Sequence, residues 1–357
     1  MTTLSLLATL AVTASGTVSP ATTAGVLSAD TTDAVFVHVL DVGQGLTTVV
    51  QVPGGHVLVI DAGDSGGGRR TIEGVRRLLE PGTEIDLLVL SHPDRDHISG
   101  ADELLREFPI RRVLRTGYQD ADTSDVWREM DALVRGLASA GETVDVNLQN
   151  VEVPPGSTYR FGEAFVTVLS GHPRPPSSWG LTSRSERMNA VSLVVRLSYR
   201  GGSVLFTGDA VGRHRPVRAP SESRESLVQA PSASEAFLLE YAPVLPLRSD
   251  VLVAPHHGAD NGSSAEFIAA VDPEWVVFSA GTHGVYRHPR QVVADRYRAA
   301  GVAPWQILRT DADDRDEGGD EWTRSPDPSS VVEGGDVEVV ILGSGHVMAR
   351  YAPGDED

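Results

Sequence analysis

Ten residues, Ser91–Gly100, read "SHPDRDHISG" and set His92, Asp94, Asp96 and His97 close together on the chain, directly after the apolar run "DLLVLS". In α/β proteins, polar groups that do chemistry commonly sit where a buried strand ends and a helix begins. On such a bend four side chains can converge on a small volume, which residues spread along a strand cannot do. Their nitrogen and oxygen donors suit Zn2+ or Mn2+, and added carboxylate shifts the preference toward Mn2+. Helix capping by Ser91 or Asp94, with Asp96 near the positive helix end, explains one polar residue and not four.

Further candidates lie downstream. His256 and His257 leave the apolar run "DVLVA" for a loop containing glycine. On an extended segment, adjacent side chains point to opposite sides. One ring is therefore expected to ligate a metal, the other to contact a substrate oxyanion or shuttle a proton. The reading takes His256 as the ligand and His257 as the catalytic partner. His288, in "RHP", reads as a substrate contact, an acid–base group, or a helix-start histidine with Pro289 at the first helical position. Asp61 reads as a carboxylate orienting a ligating histidine, and Asp41 as a turn residue.

The elements that must position these groups follow from patterning. Val35–Leu40, Leu46–Val52 and His56–Ile60 are β-branched runs with glycine-rich turns, so they predict three strands. Helical spacing over Arg69–Leu79 precedes a buried strand at Ile85–Leu90, and a helix is expected from the motif through Ala101–Phe108. A strand in "IRRVLRTG" and a helix at Ser124–Ala140, capped by Asp122 or Thr123, come next. Strands are expected at Val144–Val153, Phe165–Ser170, Ala190–Tyr199 and Ser203–Thr207, followed by a short helix at Glu235–Tyr241. Val251–Ala254, Ala265–Val271, Trp275–Ser279 and Arg290–Ala300 alternate strand and helix, and Val337–Tyr351 closes as a hairpin. Two polar stretches, near 212–234 and 311–330, read as insertions into one domain spanning 34–351. Asp311–Glu321 is not a calcium loop, since Arg315 stands where an oxygen ligand is needed. Residues 1–33 form a signal-like or disordered tail and 352–357 an acidic one.

Composition narrows the field. With no cysteine among 357 residues, disulfides and thiolate ligands are excluded. The net charge of −19, with arginine as the sole basic residue type, repels nucleic acid at long range. A DNA substrate then needs a local basic patch, for which arginines 69, 70, 76, 77, 111, 112, 115, 213, 215 and 218 are the candidates. No apolar stretch reaches membrane-spanning length. The segment Leu4–Val12, followed by a small-residue site at Ala14, favours an extracytoplasmic location, with a cytoplasmic one the alternative because no Lys or Arg precedes it.

Together, "HVLDVGQG" (His38–Gly45), "VLVIDAG" (Val57–Gly63), "SHPDRDHISG", "VLFTGDA" (Val204–Ala210), "DVLVAPHHGADNGSS" (Asp250–Ser264) and "SAGTHGVYRHP" (Ser279–Pro289) resemble a known family. The likeness, over roughly Val35–Thr310, is to the metallo-β-lactamase-like domain of the ComEC family of DNA-uptake proteins. It implies an α/β fold, the four-layer αβ/βα sandwich of two mixed β-sheets with helices outside. It implies two divalent ions, Mn2+ or Zn2+. His92 and Asp94 then match the first metal position, Asp96 and His97 the second, and Asp209 the carboxylate bridging both. Asn189 falls where other proteins of the fold often carry a third histidine and where the ComEC relatives also carry Asn, with His172 in "SGHPRPP" a rival that reads better as a loop histidine. Asp94, where the common motif has histidine, and Asn189 speak against a zinc β-lactamase.

The implied activity is a dinuclear phosphodiesterase or nuclease acting on DNA, in which metal-activated water attacks in line and no Ser or Cys nucleophile is needed. Asp96, His257 and His288 are its candidate catalytic groups. Alternatives are hydrolysis of another ester or lactone, of the phosphocholine-ester type, and a non-catalytic metal-binding or sensing protein.

Overall fold

The computed structural model describes residues 31–120, 124–212, 231–281, 288–311 and 335–352. In chain order the first elements are β1 (Ala34–Val39), β2 (Thr47–Val52), β3 (His56–Ala62), α1 (Arg69–Leu78), β4 (Leu87–Leu90), α2 (Arg95–Ile98), α3 (Ala101–Glu107), β5 (Arg112–Arg115), α4 (Asp125–Ala140) and β6 (Val144–Asn147). Then come β7 (Thr158–Phe161), β8 (Ala164–Ser170), α5 (Arg184–Ala190), β9 (Val194–Tyr199), β10 (Gly202–Phe206), α6 (Ala233–Tyr241), β11 (Val251–Val253) and α7 (Ala265–Val271). The last are β12 (Trp275–Phe278), α8 (Gln291–Ala299), β13 (Ile307–Arg309), β14 (Val337–Leu342) and β15 (Val347–Tyr351).

These strands form an eight-stranded sheet, ordered β15-β14-β1-β2-β3-β4-β5-β6, and a seven-stranded sheet, ordered β13-β12-β11-β10-β9-β8-β7. Both sheets are mixed. In the first, β14, β1, β2 and β3 pair antiparallel and β3 to β6 pair parallel. The second repeats the plan, with β7 to β10 antiparallel and β10 to β13 parallel.

Strand side chains alternate between faces, and here both faces are covered, so the strands read as continuous apolar runs. Val37, Leu58, Ile60 and Val89 of one sheet meet Val166, Val195, Val204 and Val253 of the other. On the outer faces, Ile72, Leu104, Trp127 and Val134 cover Val59, Leu88 and Val113, while Phe267, Val293 and Tyr297 cover Leu205, Leu252 and Val276. The result is the helix–sheet–sheet–helix sandwich that the resemblance implies.

Several expected boundaries move. The helix expected through the metal motif breaks at Ser99–Gly100 into α2 and α3. The strand expected from Ala190 begins only at Val194, because Arg184–Ala190 is helical and the Ser183 side chain caps it. The strand expected over Val144–Val153 stops at Asn147. Strands β7 and β13 were not expected; they are short, and their stability comes from neighbours rather than local pattern. Ser124 caps α4 by accepting from Trp127 N at 3.2 Å, whereas Asp122 and Thr123 lie outside the described residues. Helix α8 starts at Gln291, so Pro289 is not its first residue. Most of both expected insertions, residues 1–30 and residues 353–357 lie outside the described set. No helix among the described residues is long and apolar enough to cross a membrane.

Candidate metal centre

The parallel halves of both sheets direct their C-terminal strand ends to one edge, where open α/β sheets place their sites. Asp61 lies in β3, His92 follows β4, Asp209 follows β10, the tandem histidines follow β11 and Ser279 follows β12. The two sheets are tied there: Ser279 Oγ donates to Gly45 O at 2.8 Å, and Leu193 N to Ser91 O at 2.9 Å. Close backbone approach explains the glycine of "DAG". A Cβ on Gly63 would stand 2.4 Å from Asp96 C and His97 N, so any side chain there displaces the metal turn.

Asp61 organises that turn. Its Oδ1 accepts from Ser91 N at 2.7 Å, and its Oδ2 accepts from Ser91 Oγ at 2.7 Å and from His97 Nδ1 at 2.8 Å. Ser91 Oγ, having donated to Asp61, accepts from His92 Nδ1 at 3.0 Å. His257 Nδ1 donates to Ser279 O at 2.8 Å. Each of the three rings thus has its Nδ1 proton engaged and turns the Nε2 lone pair inward.

These lone pairs face other acceptors. His97 Nε2 stands 3.0 Å from Asp209 Oδ1 and 3.1 Å from His257 Nε2. His257 Nε2 is 3.4 Å from Asp96 Oδ2 and 3.6 Å from Asp209 Oδ1. His92 Nε2 is 3.6 Å from Asp94 Oδ2 and 3.7 Å from Asp209 Oδ2. His92 Nε2, Asp209 Oδ1 and Asn189 Oδ1 are buried without a hydrogen bond. Acceptors facing acceptors in a dry site require a proton or a cation between them. Two groups with all donor atoms within 4.8 Å meet that requirement, His92–His97–Asp209 and Asp96–His97–His257. The donor set therefore fits divalent ions.

The site's field has the same sense. Burial alone would raise Asp209, but His256, His97, His257 and His92 hold it well below the carboxylate range. Burial alone would lower His97, yet the Asp209 and Asp61 carboxylates lift it well above the usual imidazole value. His257 is raised in the same way, against burial, chiefly by Asp209 and by its bond to Asp96. Asp96 is depressed, despite burial, by His257 and His97. Asp94 occupies the N-cap position of α2 but makes no capping bond with its side chain, which bears against the capping account.

The tandem histidines depart from expectation. Their segment is not extended: His256 and His257 take φ of 53° and 54°, the left-handed region. Both rings consequently swing toward Asp209, His256 Nε2 reaching 3.5 Å from Oδ2 while His257 Nε2 addresses Oδ1. His257, rather than the preferred His256, is the ring whose donor atom clusters with those of Asp96 and His97. His256 instead pairs its Nδ1 with Asn261 Oδ1 at 2.8 Å and accepts from Asn189 Nδ2 at 3.1 Å. Asn189 Nδ2 also donates to Asp209 Oδ2 at 3.2 Å. Burial lowers His256, outweighing Asp209.

His288 is buried with its ring 5.6 Å from that of His256. Burial, then His256 and His257, push it down to about 3, so it is neutral at ordinary pH. His172 takes no part in either donor group. Its ring packs edge-on between Trp179 and Phe237, at 4.9 and 5.0 Å, and burial lowers it to about 4. Asp41 accepts from Gly43 N at 3.0 Å, a turn contact.

Among the described residues, most of the expected arginine patch is engaged by other partners, while Arg70 is exposed without an ion pair. Arg69 pairs with Glu73, Arg76 with Glu103 and Glu107, Arg77 with Asp336 and Arg111 with Glu84. Arg115 is buried between Asp131 and Asp145, and Arg112 lies over the Tyr159 ring. Arginines 213, 215 and 218 lie outside the described residues. Sequence reasoning passed over Ser91 as an orienting group, Asn261 and the Ser279 carbonyl. Ser91 had a signal, its place directly before His92. A backbone carbonyl leaves none.

Residues 40–188 match the Metallo-beta-lactamase superfamily. Competence protein ComA of Neisseria gonorrhoeae is 27% identical over 281 residues, covering 77% of this chain and 31% of its own. ComE operon protein 3 of Bacillus subtilis (strain 168) is 24% identical over 229 residues, covering 64% of this chain and 24% of its own. The chain thus spans less than a third of the length of these relatives. The solved metallo-beta-lactamase fold protein YhfI from Bacillus subtilis is 14% identical with a TM-score of 0.45, covering 78% of this chain and 97% of its own.

Proposed function

We propose that this metallo-β-lactamase-fold chain, similar to competence proteins, is a two-metal phosphodiesterase that cleaves DNA. The observation that carries the reading is Asp209, whose two carboxylate oxygens face two different donor sets across a buried gap. His92, Asp94 and Asn189 would hold one divalent ion with Asp209 Oδ2. Asp96, His97 and His257 would hold the other with Asp209 Oδ1. When bound, Mn2+ or Zn2+ ions supply Lewis acidity and lower the proton affinity of water.

The protein's own groups do the rest. Asp61 and Ser279 fix the tautomers of His97 and His257. The Asp96 side chain, 26% exposed, is a donor-group carboxylate open to solvent and can accept a hydrogen bond that orients an approaching water. The neutral His288, its ring 5.6 Å from that of His256, is placed to donate its one N–H to a phosphoryl oxygen, while His256 is held by Asn261 and Asn189 beside Asp209. DNA as substrate rests on the likeness to competence proteins.

The test offers the purified chain single- and double-stranded DNA and bis(p-nitrophenyl) phosphate, with Mn2+, Zn2+ or chelator. Metal-stimulated cleavage is expected. Asp209→Ala should lower it by at least about 100-fold, as loss of a charge-stabilising group at the reacting centre does. Absence of metal-stimulated cleavage of every phosphodiester, or an undiminished Asp209→Ala, would overturn the reading.

A further inference from the structure

A cleft of about 600 Å³ opens where β5 and β6 end, lined by Tyr118, Gln119, Gln149, Pro173, Arg174 and Arg187. Its volume is that of sites enclosing small organic ligands. The floor is built, not incidental. A Cβ on Gly117 would lie 2.0 Å from Asn147 Oδ1, so the ends of β5 and β6 pack in direct contact. Gln149 Nε2 donates to Thr116 O at 3.4 Å and to Pro173 O, joining both strand ends to the 171–175 loop.

Two routes join the cleft to the metal centre. In the sheet, β4, which delivers His92, is followed by β5 and then β6. At the usual strand spacing, the cleft therefore begins roughly 5 to 10 Å along the sheet edge from the metal turn. The second route is α5, which carries Arg187 at the cleft and, two residues on, Asn189 against Asp209. That separation matches one to three nucleotides of a strand, at about 3.4 Å stacked rise each.

The charge of the cleft contrasts with the chain's net −19. Arg174 is exposed and makes no ion pair among the described residues. Arg187 Nη2 donates to Asp120 at 2.9 Å and Nη1 to Thr182 O at 2.8 Å, which fixes its guanidinium at the rim. A guanidinium fork suits phosphate, and the Gln119 amide and Gln149 Oε1 suit base edges or sugar hydroxyls.

Resting on the phosphodiesterase reading, we propose that this cleft is the subsite for the nucleotide flanking the scissile phosphate on a single strand, with Arg174 its phosphate contact. Arg174 then sets preference for polynucleotides over small diesters. Being exposed, it can be changed without loss of core packing.

The test compares Arg174→Ala and Arg174→Lys with the wild-type chain in three measurements. These are anisotropy of a fluorescein-labelled oligodeoxythymidylate, cleavage of the same oligonucleotide, and hydrolysis of bis(p-nitrophenyl) phosphate, which has no flanking phosphate for Arg174 to contact. Arg174→Ala should weaken oligonucleotide binding and lower its kcat/KM by about tenfold, the scale of one lost charged hydrogen bond. The salt slope of binding should become shallower by about 0.7, one single-strand phosphate contact. Lysine should restore the salt slope, and the small diester should be cleaved at the wild-type rate. Unchanged binding and salt slope in Arg174→Ala overturn the subsite, as does an equal loss on both substrates. If the wild-type chain cleaves no diester, the phosphodiesterase reading fails, and the anisotropy arm still decides whether Arg174 contacts the strand.

Discussion

Asp61 shows how much of this centre depends on residues that touch no metal. Its carboxylate, in a left-handed backbone conformation, holds Ser91 twice and His97 once, and so aims both motif histidines. Asp61→Asn keeps the size and tolerates the positive φ, but removes the charge that favours a proton on His97 Nδ1. Metal affinity measured by chelator competition should fall by about 10- to 100-fold, the effect of losing a carboxylate behind a ligating histidine. An unchanged affinity would mean that the tautomer is fixed by other means. At this scale the sequence was most legible in "SHPDRDHISG", where the donor types and their crowding are visible in the letters. It was least legible at His256–His257. The sign of φ at two non-glycine residues is set by the surrounding loop, so the rule for extended chains does not apply, and the ring that lies with Asp96 and His97 is His257.

Arg115 ties three elements together. The sequence reading grouped it with a phosphate-binding patch, but its side chain is 2% exposed and joins β5 to α4 through Asp131 and to β6 through Asp145. Arg115→Ala leaves Asp145 without its cation and Asp131 with only the exposed Arg135, and should cost about 3 kcal/mol of stability in urea unfolding. Replacing Arg115, Asp131 and Asp145 together with Met, Leu and Leu should come much closer to wild type, since a buried triad repays little beyond its own desolvation. A small loss in Arg115→Ala would show the pocket to be wet. Apolar strands such as β3, β4 and β11 were legible because burial on both faces writes a continuous hydrophobic run. Helix α5 was not, because its polar "RSERMNA" carries no apolar period, and that concealed Asn189's place on a helix.

Across the whole molecule, two sheets repeat one plan and contribute opposite sides of a single donor cluster. The first supplies His92, Asp94, Asp96 and His97, and the second supplies Asp209 and His257. The fold was legible in outline through the order of its motifs, whereas the convergence of strand ends from different sheets is a tertiary fact that no local pattern encodes. Because the donors meet only in the folded chain, bound ions must stabilise it, by about 2.7 kcal/mol at a hundredfold excess over Kd.

The most direct test of the two-ion centre is metal content per chain, measured by elemental analysis on wild-type and Asp209→Asn protein and paired with bis(p-nitrophenyl) phosphate turnover. Close to two divalent ions are expected in the wild type, with turnover that chelator abolishes and Mn2+ or Zn2+ restores, and both content and turnover should fall in the variant. Full turnover by a metal-free chain, or unchanged metal content in Asp209→Asn, would contradict the account.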